Sequence, residues 1–92
     1  MAESKFLTKH PLGKKGRTID KGKYDAVKRA VVSALRSREL THTELTKAVV
    51  KKLKGKFDGN IAWYGETVKL DLEARRTIER TASRPERYRL KS

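Results

Sequence analysis

Lysine and arginine are the residues whose number and spacing in this chain could do chemistry. They number 24 against 11 aspartates and glutamates in 92 residues, a formal net charge of +13, and the pI is about 10.4. In such numbers they neutralise anions, and a polymer of phosphates with condensed counterions gains most from that, so nucleic acid is the first partner implied. The excess is uneven: residues 1–23 carry net +5, residues 24–54 net +5, residues 55–74 net −2 and residues 75–92 net +5.

Other chemistries find little to work with. The chain has no cysteine, so thiolate nucleophiles, disulfides and thiolate metal sites are excluded. Its two histidines, His10 and His42, are too few for a zinc site. No cofactor or metal is expected. The run from Gly13 to Thr18 sets Lys14 and Lys15 between glycines, but it lacks the spacing G-x-x-x-x-G-K-[ST] of a phosphate loop and no strand precedes it. Asp71 and Glu73 lie two apart on a helix and face different ways. No histidine is spaced with a carboxylate for catalysis, so a non-enzymatic protein is expected. The longest aliphatic run, Ala30-Val31-Val32, falls far short of the roughly 18 apolar residues that span a bilayer. The N-terminus lacks the roughly 7-residue apolar region of a signal peptide. The expectation is a soluble, cytoplasmic protein with no membrane partner.

Positioning these cations falls to a small set of elements. Residues 1–19 show no periodic apolar pattern, contain Pro11, Gly13 and Gly16, and read as a mobile basic arm with Phe6, Leu7 and Leu12 as its only anchors. A first helix starts near Asp20 to Lys23 and runs to about Arg38, with Val27, Ala30, Val31, Ala34 and Leu35 as its apolar stripe and Tyr24 one turn earlier. Thr41-His42-Thr43-Glu44 is a capping box opening a second helix, whose stripe is Leu45, Ala48, Val49 and Leu53 and whose stop is Gly55. The few residues between these helices imply a tight turn or a short extended piece around Glu39-Leu40. A third helix runs from about Asn60 to Ala74. One of its faces carries Ile61, Tyr64, Gly65, Val68 and Leu72, and another carries Trp63, Thr67, Leu70 and Ala74. The period then changes to two. Ile78 alternates with its neighbours, Pro85 marks a turn, and Tyr88 and Leu90 face one way while Arg87 and Arg89 face the other, which reads as a β-hairpin.

Helix, helix, turn, helix, hairpin is a helix-turn-helix with an appended hairpin. The run VKLDLEARRTIERTASRPERYRL, residues 68–90, resembles the winged-helix superfamily, with Leu72, Ile78, Arg80, Tyr88 and Leu90 at the matching positions. The segments THTELTKAVV and FDGNIAWYGETVKLDLEAR are similar to a small, poorly characterised family of bacterial winged-helix-like proteins. The resemblance covers about residues 20–91. It implies an α+β fold in which a three-helix helix-turn-helix bundle carries a C-terminal β-hairpin wing. Where many winged helices place Gly-Leu after the third helix, this chain has Arg76-Thr77. Either the turn is built differently or a non-glycine residue takes a left-handed conformation at a cost of about 1 kcal/mol.

The resemblance implies a third helix in the major groove and a wing on the backbone or minor groove. Candidate nucleic-acid-binding residues are then Lys14, Lys15 and Arg17 in the arm, Asn60, Trp63, Thr67 and Lys69 in the third helix, and Arg84, Arg87 and Arg89 in the wing. Each has a plainer reading. Trp63 could pack against the second helix or the wing, Tyr64 belongs to the core, and Asn60 could cap its helix. Arg75 and Arg76 suit a helix C-terminus, Lys47, Lys51 and Lys54 could be a solvated face, and His42 is expected exposed. The carboxylates Glu66, Asp71 and Glu73 weaken the third helix as a reader of DNA. The sequence therefore points to backbone-driven, weakly specific binding, with duplex DNA favoured over RNA, by a transcriptional regulator or architectural protein. The alternatives are a protein-interaction or homodimerisation module built on the aromatic, acidic third helix, and an RNA- or ribosome-associated protein.

Overall fold

The computed structural model describes residues 5–14, 16–36, 38–57, 59–82 and 84–91. Its elements are β1 (Lys5–Leu7), β2 (Thr18–Asp20), α1 (Lys21–Leu35), β3 (Leu40–Thr41), α2 (His42–Leu53), α3 (Ile61–Ala74), β4 (Ile78–Arg80) and β5 (Arg87–Leu90). The arrangement is α+β, with three helices and two small antiparallel sheets, β1-β2 and β3-β5-β4. Among the described residues no helix is long and apolar enough to cross a membrane.

Each helix begins where a side chain satisfies an orphan amide. The Asp20 carboxylate accepts from Lys23 N at 2.9 Å and opens α1. Thr41 and Glu44 close the expected capping box: Glu44 N donates to Thr41 Oγ1 at 3.2 Å and Thr41 N to Glu44 Oε1 at 2.9 Å. Asn60 Oδ1 accepts from Trp63 N at 3.0 Å and opens α3. The capping amides hold Glu44 below the usual carboxylate range, chiefly through the Thr41 backbone.

The ends of α2 and α3 use left-handed residues. Gly55 follows α2 at φ +78°, where a side chain would be strained. After α3 the same position falls to Arg76 at φ +63°. Arg76 N donates to Glu73 O at 3.1 Å and Thr77 N to Leu72 O at 2.9 Å, the paired bonds of a Schellman cap. Of the two sequence alternatives for Arg76-Thr77, the left-handed one holds.

The extended piece between α1 and α2 is a strand. Leu40 pairs with Tyr88 and Thr41 with Arg87, so β3 becomes an edge of the C-terminal sheet and β5 its centre. Period-two alternation then places Leu40, Ile78 and Tyr88 in the core and leaves Glu79 and Arg89 paired across the strands on the other face. The core joins this sheet face to Tyr24, Val27, Ala30, Val31 and Leu35 of α1, Leu45, Val49 and Leu53 of α2, and Val68 and Leu72 of α3. Full burial of a side chain such as Leu45 or Leu72 contributes about 1.5–3 kcal/mol.

The N-terminal segment departs from the expected mobile arm. Lys5, Phe6 and Leu7 pair with Asp20, Ile19 and Thr18, Ile19 is buried, and Phe6 packs on Tyr24 with ring centroids 4.1 Å apart. Thr8 is buried and bridges the hairpin, donating to Arg17 O and accepting from Arg17 N. Gly16 permits that closeness, because a Cβ there would lie 1.8 Å from Thr8 O. Phe6 anchors the segment, whereas Leu7 and Leu12 stay exposed. Strands of three residues are too short to display periodicity in a sequence, which is why the pairing was not legible.

What seats this hairpin is Asp71. Its carboxylate, in the middle of α3, has no exposed surface. It accepts from Lys9 N at 2.8 Å, from Arg75 Nε at 2.9 and 3.0 Å, and from the Tyr24 hydroxyl. A buried carboxylate is tolerable only with such partners. Asp71→Ala should therefore lower stability by about 2–5 kcal/mol, since the Tyr24 hydroxyl and the Lys9 amide lose their acceptor at about 1–3 kcal/mol each while the exposed Arg75 turns to solvent, and should deprotect the Lys9 amide. A chemical-denaturation midpoint within error of wild type, with Lys9 still protected, would contradict this. Burial, then the bond to Asp71, push the Tyr24 hydroxyl well above its ordinary value of 10.0. Folding thus favours the neutral phenol. That contribution is complete below about pH 10 and is lost as pH rises towards the higher folded value, because the unfolded chain ionises first. Stability of Tyr24→Phe should consequently fall less steeply above pH 10 than that of wild type, as read by thermal melts across pH. Parallel alkaline limbs would contradict it.

Candidate nucleic-acid interface

The structure scatters the sequence-derived candidates over surfaces of different character. Lys14 and Arg17 are exposed on the excursion between β1 and β2. Lys15 lies outside the described residues. Arg84 is exposed in the β4–β5 connection, next to Pro85, and Arg87 is exposed at the start of β5. Arg87 also faces Glu44, whose charged form it favours. Arg89 is committed: Nε donates to Glu79 Oε2 at 2.6 Å and a terminal nitrogen approaches Glu39 Oε2 at 3.5 Å. Those carboxylates raise the Arg89 pKa, Glu79 first.

On α3 the candidates separate. Asn60 is exposed with its side-chain oxygen occupied by the cap. Thr67 is half-buried. Trp63 is 44% exposed, its ring set edge-on to Tyr64 at 4.9 Å between centroids. It is not enclosed by the second helix or the wing. Tyr64 packs against the core as expected.

Lys69 differs most from the sequence reading. It is buried at 4% exposure, and its ammonium reaches Glu66 Oε2 at 2.9 Å and His42 Nδ1 at 2.6 Å while sitting 4.7 Å from the centre of the Tyr88 ring. An ammonium so enclosed by α2, α3 and β5 is structural, and it is not presented to a phosphate. His42 is exposed as expected, with this contact as its role.

The carboxylates of α3 are equally committed. Glu66 pairs with Lys69, Asp71 with Arg75, and Glu73 with Arg80 at 2.8 Å, which raises the Arg80 pKa. The acidity that the sequence assigns to this helix is therefore neutralised within the fold. Its outward surface, around Trp63 and Thr67, carries neither spare acid nor spare base.

Cations without a carboxylate partner gather elsewhere. Lys47, Lys51 and Lys52 of α2 join Arg38 before it and Lys56 after it around a shallow groove floored by Ala48, with Glu44 as the one carboxylate in its lining. A second group, Lys28, Arg29 and Arg36, lies along α1 with Asp25. Asp25 itself pairs with Lys21 at 3.0 Å. The signal for the α2 group was in the sequence as the lysine series of the second helix. What the sequence could not show is that Lys69, Arg75 and Arg80 are held in ion pairs with the carboxylates of α3, which leaves Arg76 as the exposed cation at its end. Among the described residues no cluster of three or more histidine, aspartate or glutamate side chains could hold a metal ion.

No curated protein and no solved structure matches the chain. A family model does match, over residues 5–88, so it takes in the N-terminal hairpin, all three helices, β4 and the first half of β5. The chain belongs to the family of unknown function DUF6958.

Proposed function

We propose that this chain is a non-enzymatic nucleic-acid-binding protein of winged-helix type that holds duplex DNA through its phosphate backbone, as a transcriptional or architectural factor would. Support for the winged-helix assignment comes from the strand order β3-β5-β4, with β3 between the first two helices and β4-β5 following the third. In this reading the β4–β5 connection is the wing, and Arg84 is its exposed cation.

The observation that carries the reading is what remains of the +13 charge after pairing. The carboxylates Asp25, Glu66, Asp71, Glu73 and Glu79 are matched within the fold by Lys21, Lys69, Arg75, Arg80 and Arg89. The surplus is exposed lysine and arginine, which gains by releasing the counterions of a polyanion. With Lys69 enclosed, α3 is left with neutral donors only, the Asn60 side-chain NH2 (its oxygen is taken by the cap), the Trp63 indole and the Thr67 hydroxyl, which favours backbone contact by the cations elsewhere over sequence readout.

A second reading is favoured by one observation. Trp63 is 44% exposed on a face that carries no spare charge, and an exposed aromatic of this kind suits a protein contact or a homodimer.

Fluorescence anisotropy with a random-sequence duplex across salt concentrations tests the first reading. Log K should fall linearly with log salt, with a slope of about −4 to −6, close to 0.9 for each phosphate neutralised. A structured RNA should bind more weakly at the same salt. Absence of binding to the duplex at about 50 mM salt would contradict the reading. Sedimentation in the same buffer separates the second: a monomer leaves Trp63 without a homodimer to cover it.

A further inference from the structure

We infer that the outer face of α2, and not α3, is the main phosphate-binding surface, with Lys47, Lys51 and Lys52 as its centre and Arg38 and Lys56 as its ends. The inference rests on the nucleic-acid reading and says where on the molecule that contact lies.

The geometry is that of a built groove. Lys47 and Lys51 are four residues apart and so lie one above the other, about 6 Å apart along the helix axis. Lys52 stands one turn beyond Ala48, whose short, half-buried side chain leaves the groove open between the lysines. Arg38 enters from the segment before β3 and Lys56 from the turn after α2, so cations line the groove from both ends of the helix. Among the described residues none of the five lies within ion-pair distance of a carboxylate. Glu44, the one acid in the lining, accepts from the Thr41 amide and keeps its charge, on which Arg38 and Arg87 act, so it offsets one of the five cations and leaves the groove strongly positive.

Such a cluster has a cost in the free protein. Like charges at i and i+4 repel and destabilise a helix, and among the described residues Glu44 is the one carboxylate that shares the groove with Lys47 and Lys51. A phosphate backbone does, since its charges are closely and regularly spaced. The competing surfaces are poorer. On α3 the only lysine is enclosed, and in the wing Arg89 is held by Glu79 and Glu39.

Anisotropy with a short random-sequence duplex tests this on two variants of the full chain. Lys47→Gln/Lys51→Gln/Lys52→Gln removes three exposed side chains from α2 without touching the core, and thermal melts should place it at or above wild-type stability. Its affinity at about 50 mM salt should fall by at least about tenfold, and its salt slope should become shallower by about 0.9 for each side chain removed. Arg84→Gln/Arg87→Gln should lose several-fold less. The inference is overturned if the α2 variant binds with wild-type affinity and slope while the Arg84/Arg87 variant loses both, an outcome that leaves nucleic-acid binding intact and moves it to the wing. It is overturned as well if polyglutamate displaces the duplex as readily as unlabelled DNA does, because the groove would then be a site for acidic polypeptide. Failure of wild type to bind at all removes the underlying reading and the inference with it.

Discussion

A carboxylate without exposed surface sits in the middle of α3, and the arrangement around it depends on its being paired. An isolated ionised carboxylate in a protein interior costs more than a domain of this size can supply, so Asp71 must find donors or lose its charge. It finds two that are distant in sequence, the Tyr24 hydroxyl of α1 and the Lys9 amide of the N-terminal segment, and one nearby, the Arg75 guanidinium one turn along. Those bonds fix the rotation of α3. With Asp71, Val68 and Leu72 inward, Lys69 is carried under the His42 end of α2, and Trp63 and Thr67 are carried outward. The same node seats the β1-β2 hairpin, where Phe6 covers Tyr24 and Arg75 stacks 4.8 Å from the Phe6 ring centre.

That placement decides where charge is available. On the α3 and sheet side, Lys69, Arg75, Arg80 and Arg89 are paired with Glu66, Asp71, Glu73 and Glu79, which leaves Arg76, Arg84 and Arg87 among its exposed cations. On the α2 side the lysines face a groove with a single carboxylate, Glu44. A net charge says only that a polyanion is welcome. Pairing says on which surface, and it moves the expected contact away from the helix that the winged-helix resemblance nominates as a reader of bases.

Much of this was legible in the sequence where the signal is local. The Thr41–Glu44 box, the Asp20 and Asn60 positions and the stop at Gly55 each depend on one or two side chains meeting nearby backbone, and the helices start and end there. The hairpin at Ile78 and Tyr88 announced itself by period two. The extended piece at Leu40 was one of two readings, because a two-residue strand becomes a strand only when β5 arrives beside it. Asp71 does not show its burial in the sequence, because its helix carries apolar residues on more than one side and no single inward face stands out. Its place on the Tyr64–Val68–Leu72 stripe with Arg75 four residues on was the available clue. Lys69 carried no comparable clue, since its enclosure comes from His42 and Tyr88, 27 and 19 positions away. The N-terminal hairpin left no pattern because its strands are three residues long, and its seat, the Tyr24 ring and the Asp71 carboxylate, lies on α1 and α3.

Amide chemical-shift mapping on the labelled full chain reads directly which surface meets the phosphates in the proposed contact. Titration with a random-sequence duplex should move the resonances of Arg38, Lys47, Lys51, Lys52 and Lys56 first and furthest, with smaller shifts at Arg84 and little at Thr67 or Lys69. Shifts centred on α3 and the β4–β5 connection, with α2 unmoved, would contradict the α2 contact.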